Sequence, residues 1–123
     1  MIAAVIASFQ VAPVFAADPV QGRKIVENRA KSACLLCHSG PFLAPHSQGN
    51  IGPPLNGVGN RLTQGELRMR IVNPSAANPD TIMPSYGAVG NRNRIGVEWR
   101  GKSILSEEEI DDVVAFLATL RDP

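Results

Sequence analysis

Large aromatic side chains are scarce in this chain of 123 residues, since Phe, Trp and Tyr together make up only 5% of it. The 11 glycines and 10 prolines add turns and loops without filling space. A single small domain of this length has little apolar volume to spare for its core. The composition therefore predicts that something other than side chains occupies the centre of the fold.

An excess of charge of one sign is also missing. Twelve Lys and Arg against 11 Asp and Glu give a formal net charge of +1. Domains that bind nucleic acid usually carry a strongly basic face. The even balance argues against a nucleic-acid partner.

The first 17 residues, MIAAVIASFQVAPVFAA, form an apolar run that is interrupted by polar residues and a proline. The run is shorter than the roughly 20 apolar residues of a membrane-spanning helix. Its small-residue end is typical of a secretory signal peptide cut after Ala16 or Ala17. We predict a signal peptide at 1–17 and a mature domain at 18–123 in the periplasm, with no membrane span. The basic start typical of such leaders is missing, because no Lys or Arg precedes Arg23.

Both ends of the mature domain carry helical patterns. Ser106 followed by Glu109 is a capping box, and apolar residues at helical spacing continue to Leu120. Residues 18–33 also contain helix formers and apolar positions, although Gly22 interrupts them. These patterns predict two terminal helices.

A shorter helix is predicted over about 63–72. Thr63 and Glu66 form its capping pattern, and Asn73-Pro74 ends it. The rest is loop, with no convincing alternation of a strand. The sequence thus predicts an all-α fold, and wrapping around a large cofactor would explain its long loops.

Cysteine and histidine are rare, with two of each, yet Cys34, Cys37 and His38 fall within five consecutive residues. C-x-x-C-H is the attachment signature of c-type haem. The two thiols add across the haem vinyl groups, and the next residue, His38, lies under the iron as proximal ligand. The motif therefore predicts one covalent haem c.

Other uses of these residues fit less well. A redox dithiol would be expected within alternating strands and helices, which are missing here. A structural zinc site needs four ligands, and only His46 or a carboxylate could add to these three. A disulfide across two residues would close too small a ring to stabilise a fold.

Three residues could supply the sixth ligand of the iron. Met83 is favoured, because it lies in a proline-stiffened loop far enough along the chain to reach the opposite haem face. Met69 falls within the middle helix and is expected to pack in the core. His46 is too close to His38 and is expected to be a surface histidine.

The motifs together resemble the class I cytochrome c family. The likeness rests on C-x-x-C-H, on GPPLNG at 52–57 and on MPSY at 83–86. It implies terminal helices that cross closely, with Gly22 facing Phe116, and a middle helix and long loops wrapped around one haem. Ile110, Val113 and Leu117 would then be core residues.

The resemblance implies further roles near the haem. The carbonyl oxygen of Pro53 would accept a hydrogen bond from the His38 ring, and Arg61 would lie near a haem propionate. A loop proline and a solvated charge are the ordinary alternatives for these two residues. Tyr86 and Trp99 would line the haem, or form core with satisfied polar tips.

Longer stretches resemble, more narrowly, the SoxX family of small cytochromes in sulfur-oxidising SoxAX complexes. They are LRMRIVNP at 67–74, TIMPSY at 81–86 and GKSILSEEEIDDVVAFL at 101–117. The resemblance implies a heterodimer with a SoxA-like cytochrome that joins thiosulfate to a cysteine of a SoxYZ-like carrier. The chain would pass the released electrons to a soluble cytochrome or another acceptor. It would itself have no catalytic residue, since both cysteines are committed to haem.

A free, diffusible class I cytochrome c that serves an oxidase or peroxidase would have the same fold and ligands. Only the partner surface would differ. An exposed apolar patch around the haem edge favours the complex subunit, whereas a ring of charges favours transient docking. A haem-linked catalytic or sensing domain would need an open sixth position, which Met83 argues against.

Overall fold

The computed structural model describes residues 16–42, 45–88 and 96–122. Within them the chain forms helices and no strand, so the predicted all-α class is confirmed. The helices are α1 (Pro19–Glu27), α2 (Val58–Arg61), α3 (Gln64–Val72) and α4 (Glu107–Thr119). Short 3-10 turns occur at Cys34–Leu36, Pro45–Ser47, Pro74–Ala76 and Val97–Trp99.

The predicted capping boxes begin α3 and α4. The Ser106 hydroxyl accepts from the Glu109 backbone N–H at 3.2 Å, and the Glu109 carboxylate accepts from the Ser106 N–H at 3.0 Å. Thr63 and Glu66 exchange the same pair of bonds at the start of α3. Each box satisfies backbone donors that the first helical turn leaves unpaired.

The first helix is shorter than predicted: it ends at Glu27, whereas the helical pattern continues to about residue 33. The side-chain oxygen of Asn28 accepts from the N–H groups of Ala30 and Lys31 at 3.0 and 3.1 Å, in competition with the helical bonds. Ala33 then adopts a left-handed conformation (φ +55°), which turns the chain into the cysteine motif.

Helices α1 and α4 cross with their backbones almost touching. A Cβ atom on Gly22 would lie 1.9 Å from the Asp112 carbonyl oxygen and 2.9 Å from the Phe116 Cβ atom. The predicted close approach of Gly22 to α4 at Phe116 is therefore confirmed. Only glycine permits this crossing.

Helix α4 supplies buried side chains to both sides of the core. Ile110, Val113 and Leu117 are at most 7% exposed, as predicted for core residues. On another face, Phe116 packs against Phe42, with ring centroids 6.2 Å apart. Burial of these side chains fixes α4 against the rest of the domain.

The predicted signal peptide lies mostly outside the described residues, which include only its last two positions, Ala16 and Ala17. Across residues 16–42, 45–88 and 96–122, no helix is long and apolar enough to cross a membrane.

Candidate haem-binding site

A largely apolar cavity lies between α1, α3, α4 and the loops that connect the helices. Its volume is about 390 Å³, including the part that opens to solvent. The lining residues are Val26, Cys34, His38, Leu55, Ile71, Met83, Tyr86, Leu105, Val113 and Leu117. A thiol, an imidazole, a thioether and a phenol are thus brought together among aliphatic side chains.

The cysteine motif is folded as a tight turn. The N–H groups of Cys37 and His38 both donate to the Cys34 carbonyl oxygen, at 3.2 and 3.0 Å. The turn places Cys34 and His38 on the cavity, and neither cysteine is in a disulfide. Burial raises the pKa of the Cys34 thiol, although hydrogen bonds with Ser32 and Tyr86 partly oppose the shift.

The ring of His38 is fixed from one side. Its Nδ1–H donates to the Pro53 carbonyl oxygen at 2.7 Å, so the hydrogen bond implied by the family resemblance is present. Gly52 lies directly against the ring, because a Cβ atom there would be 2.5 Å from the His38 Cε1 atom. The Gly52 N–H donates to the Cys37 carbonyl oxygen at 2.7 Å, which ties this loop to the cysteine turn. With Nδ1 engaged, Nε2 is the nitrogen left for a metal.

Met83 lines the same cavity as His38 and is half-buried. Its backbone N–H donates to the Thr81 hydroxyl at 3.1 Å, which helps to order the loop. The expectation that Met69 packs in the core is wrong, because Met69 is 37% exposed on the outer side of α3. His46 is exposed, as expected.

Arg61 supports the loop that holds His38. Its guanidinium donates to the carbonyl oxygens of Asn56 and Pro54, at 2.5 and 2.7 Å. These bonds occupy two of the five guanidinium donors and fix the backbone just after Pro53. A propionate contact by the remaining donors stays a prediction.

Tyr86 connects three parts of the site. Its hydroxyl donates to the Ser32 carbonyl oxygen, its N–H to Ile71, and its own carbonyl accepts from Ile104. Burial, reinforced by the nearby Cys34, raises the pKa of the phenol above its usual value. Tyr86 is therefore a core residue with a satisfied polar tip. The side chain of Trp99 lies outside the described part of the structure.

Several aliphatic residues that line the cavity are not predicted by any pattern in the sequence. Leu105 is 1% exposed and Leu55 is 9% exposed, yet neither belongs to a helix. Their only signal is position, since Leu55 follows Gly-Pro-Pro and Leu105 precedes the cap of α4. The sequence marks Ile71 only as an apolar residue near the end of α3, which does not predict that it lines the cavity.

The residues around the cavity fit a covalently attached haem. The Cys34 thiol, an imidazole held through Nδ1 and a thioether meet at an apolar space that opens to solvent, and Cys37 follows Cys34 at the required spacing. This donor set is the one used by c-type haem with histidine and methionine ligands. Among the described residues, no three His, Cys, Asp or Glu side chains are grouped to hold a metal ion, as a zinc site would require.

Comparisons with known proteins show the family of the chain. Residues 20–121 match the cytochrome c family. The fold is similar to a chain in the crystal structure of SoxXA from P. pantotrophus, with a TM-score of 0.74 and 35% identity over 97% of this chain and 90% of that chain. An uncharacterized lipoprotein of Aquifex aeolicus (strain VF5) is 34% identical over 95 residues, which are 76% of this chain and 39% of that protein. The chain therefore belongs to the cytochrome c family, whose cofactor is covalently bound haem c and whose role is electron transfer, and within it the chain is similar to SoxX.

Proposed function

We propose that this cytochrome is the electron-transfer subunit of a thiosulfate-oxidising complex with a SoxA-like cytochrome. The similarity over 97% of the chain to a component of SoxXA carries the proposal. Joining thiosulfate to a carrier cysteine forms a new sulfur–sulfur bond (Cys-S-S-SO3−) and releases two electrons and the thiol proton. A SoxYZ-like protein would supply that cysteine, and the partner would perform the sulfur chemistry.

The described residues support specific roles within that function. Bound haem supplies an iron centre that changes by one electron. Cys34 and Cys37 would hold it covalently, while His38, through Nε2, and Met83, through its sulfur, would ligate the iron. The Pro53 carbonyl orients the imidazole, and Arg61 keeps that carbonyl in place through the adjoining backbone.

Three exposed aliphatic residues, each next to a residue of the site in the chain, favour a stable partner. Leu36, Ile51 and Ile82 are 51%, 66% and 78% exposed. Each lies beside a residue of the site in the chain: Leu36 between the two cysteines, Ile51 before the glycine that contacts His38, and Ile82 before Met83. Isolated exposed aliphatics are ordinary, but three that each neighbour a residue of the site in the chain support an interface that excludes water.

We also propose that the chain is exported to the periplasm after removal of residues 1–17. The small-residue end of this segment supports export. The Aquifex relative is named a lipoprotein, a class of exported protein, which points in the same direction. In that compartment the chain would pass the released electrons to a soluble cytochrome or another acceptor.

The test is gentle purification of the tagged protein from its native periplasm. We expect a SoxA-like cytochrome to stay bound, and thiosulfate to reduce the haem of the complex when the carrier protein is supplied. Replacing Ile82 with Asp should weaken capture of the partner, whereas Val20→Asp is the control, because Val20 is also well exposed (61%) but lies on α1. A haem-containing monomer that ignores thiosulfate would instead favour the free, diffusible carrier.

A further inference from the structure

The buried carboxylate of Asp112 accepts a hydrogen bond from the backbone at the start of α1. The backbone nitrogen of Asp18 lies 2.6 Å from the Oδ1 atom of Asp112, where α1 crosses α4. Asp112 is only 8% exposed. No Lys or Arg among the described residues forms an ion pair with it. Removing an ionised carboxylate from water is unfavourable unless a cation or several hydrogen bonds compensate.

The space just ahead of Asp18 is also acidic. Ala16 and Ala17 line a recess together with Glu108, Asp111 and Asp112. In the uncut chain the three acidic residues share this recess with two neutral alanines, and the nitrogen of Asp18 is a neutral amide. The carboxylates around it are therefore better matched to a positive charge at the nitrogen of Asp18 than to the peptide bond.

We propose that cleavage between Ala17 and Asp18 creates an α-ammonium group that forms an ion pair with Asp112, so that leader removal completes the contact between α1 and α4. The inference rests on the proposed export. Hydrolysis by a leader peptidase consumes one water, leaves a carboxylate on Ala17 and an amine on Asp18, and the amine takes up a proton at neutral pH.

A positive charge on the nitrogen of Asp18 would need a nearby negative charge to compensate it. A positive charge at a helix N-terminus is unfavourable, because the first turn already carries the positive end of the helix dipole. The Asp18 side chain caps that turn by accepting from the Val20 N–H at 2.8 Å. Asp112 comes from α4 and faces the terminal nitrogen itself, so a favourable ammonium contact ties the new terminus to the other helix.

The first test is the identity of the terminus. N-terminal sequencing and the intact mass of the haem-containing protein from the periplasm should show Asp18 as the first residue. A chain that begins at Ala17, or that retains the leader, would overturn the inference. Recovery of the haem-containing protein from the periplasm reports on export separately from the position of the cut, so the two failures are distinguishable.

The second test compares four forms of the exported holoprotein in a thermodynamic cycle. One form begins at Asp18, and the other carries a Gly-Ser dipeptide ahead of Asp18, which turns the ammonium into an amide. Each is made with Asp112 and with Asp112→Asn, which keeps an oxygen acceptor. With Asp112 present, we expect the ratio of folded to unfolded protein to be roughly fivefold to thirtyfold higher for the form with the free amine than for the form with the dipeptide. In the Asp112→Asn variant the two forms should differ little.

A control separates this pair from the general acidity of the recess. Glu108→Gln removes an exposed carboxylate of the same recess and helix, and should leave the effect of the dipeptide largely in place. An effect of the dipeptide that is equal with Asp112 and with the Asp112→Asn substitution would overturn the ion pair. So would an effect that disappears equally in the Glu108→Gln variant.

Discussion

The Nδ1 atom of His38 lies 2.7 Å from the carbonyl oxygen of Pro53, and the guanidinium of Arg61 bonds the next carbonyl along the chain. A ring nitrogen beside a carbonyl oxygen must carry a proton, so in the neutral imidazole of His38 the lone pair is on Nε2. Nε2 is then a ready donor for iron. A loop with no regular structure thus sets the chemistry of the one histidine that lines the cavity.

Met83→Ala tests the sixth ligand. The variant should keep covalently attached haem, since Cys34 and Cys37 are untouched, but its reduction potential should fall strongly. Axial ligands shift haem potentials over roughly 0.8 V, and a thioether opposite histidine raises them. The measurement is a redox titration together with the absorption band of the sulfur–iron bond. Met69→Ala is the matched control, because Met69 is exposed on α3; equal spectra and potentials in all three proteins would exclude Met83 as ligand.

Gly52→Ala tests the packing of the loop on the imidazole. A Cβ atom would lie 2.5 Å from the His38 Cε1 atom, so either the ring or the loop must move. We expect a loss of about 1–3 kcal/mol in the free energy of unfolding of the holoprotein, as in other overpacked sites. The haem spectrum should shift as well, because the ring is displaced.

Gly65→Ala is the control for that experiment. Gly65 lies in α3, and nothing is within 4 Å of a Cβ atom built there. Alanine should stabilise this helix by about 0.5–1 kcal/mol and leave the haem spectrum unchanged. If both alanine variants behaved alike in denaturant unfolding, the close contact of Gly52 with His38 would be contradicted.

Tyr86→Phe tests the connection through the phenol. The hydroxyl donates to the Ser32 carbonyl, and the residue is 5% exposed, so phenylalanine would leave a buried acceptor without that partner. The expected cost is about 1–3 kcal/mol in unfolding free energy. Denaturant unfolding of the holoprotein measures it, and the haem potential should change less than in Met83→Ala. An unchanged midpoint would show that the Ser32 carbonyl finds another donor.

Local patterns predicted much of this molecule. A capping box needs only residues three apart, so the starts of α3 and α4 could be read from Thr63 and Ser106. The cysteine motif is local in the same sense. Both features depend on short-range bonds that a sequence displays directly.

Contacts made in three dimensions were harder to foresee. The end of α1 depends on which bonds the Asn28 side chain prefers. The exposure of Met69 depends on how α3 is rotated against α4, and the apolar residues of so short a helix cannot reveal that rotation. The carbonyl partners of Arg61 depend on the course of a proline-rich loop, which no periodic pattern describes.

Glu109 links the cap of α4 to the segment after α1. Its carboxylate accepts from the Ser106 N–H and pairs with Lys31. Partial burial works to raise the pKa of Glu109, but the hydrogen bonds with Lys31 and Ser106 outweigh it and hold the pKa below its usual value. In Glu66, the hydrogen bonds from Thr63 lower the pKa of the carboxyl in the same way.

These directions set the response of stability to acid. A folded-state pKa below the unfolded value means that ionised Glu109 stabilises the fold above about pH 4.3, and that this contribution is lost as pH falls through the lower folded-state pKa. We therefore expect the unfolding free energy to decline in acid, and the decline to be shallower in Glu109→Gln. Denaturant midpoints between about pH 7 and pH 3 measure the slope. Glu108→Gln, an exposed change on the same turn, is the control. Equal slopes in wild type and Glu109→Gln would mean that the bonds with Lys31 and Ser106 make no pH-dependent contribution to the unfolding free energy.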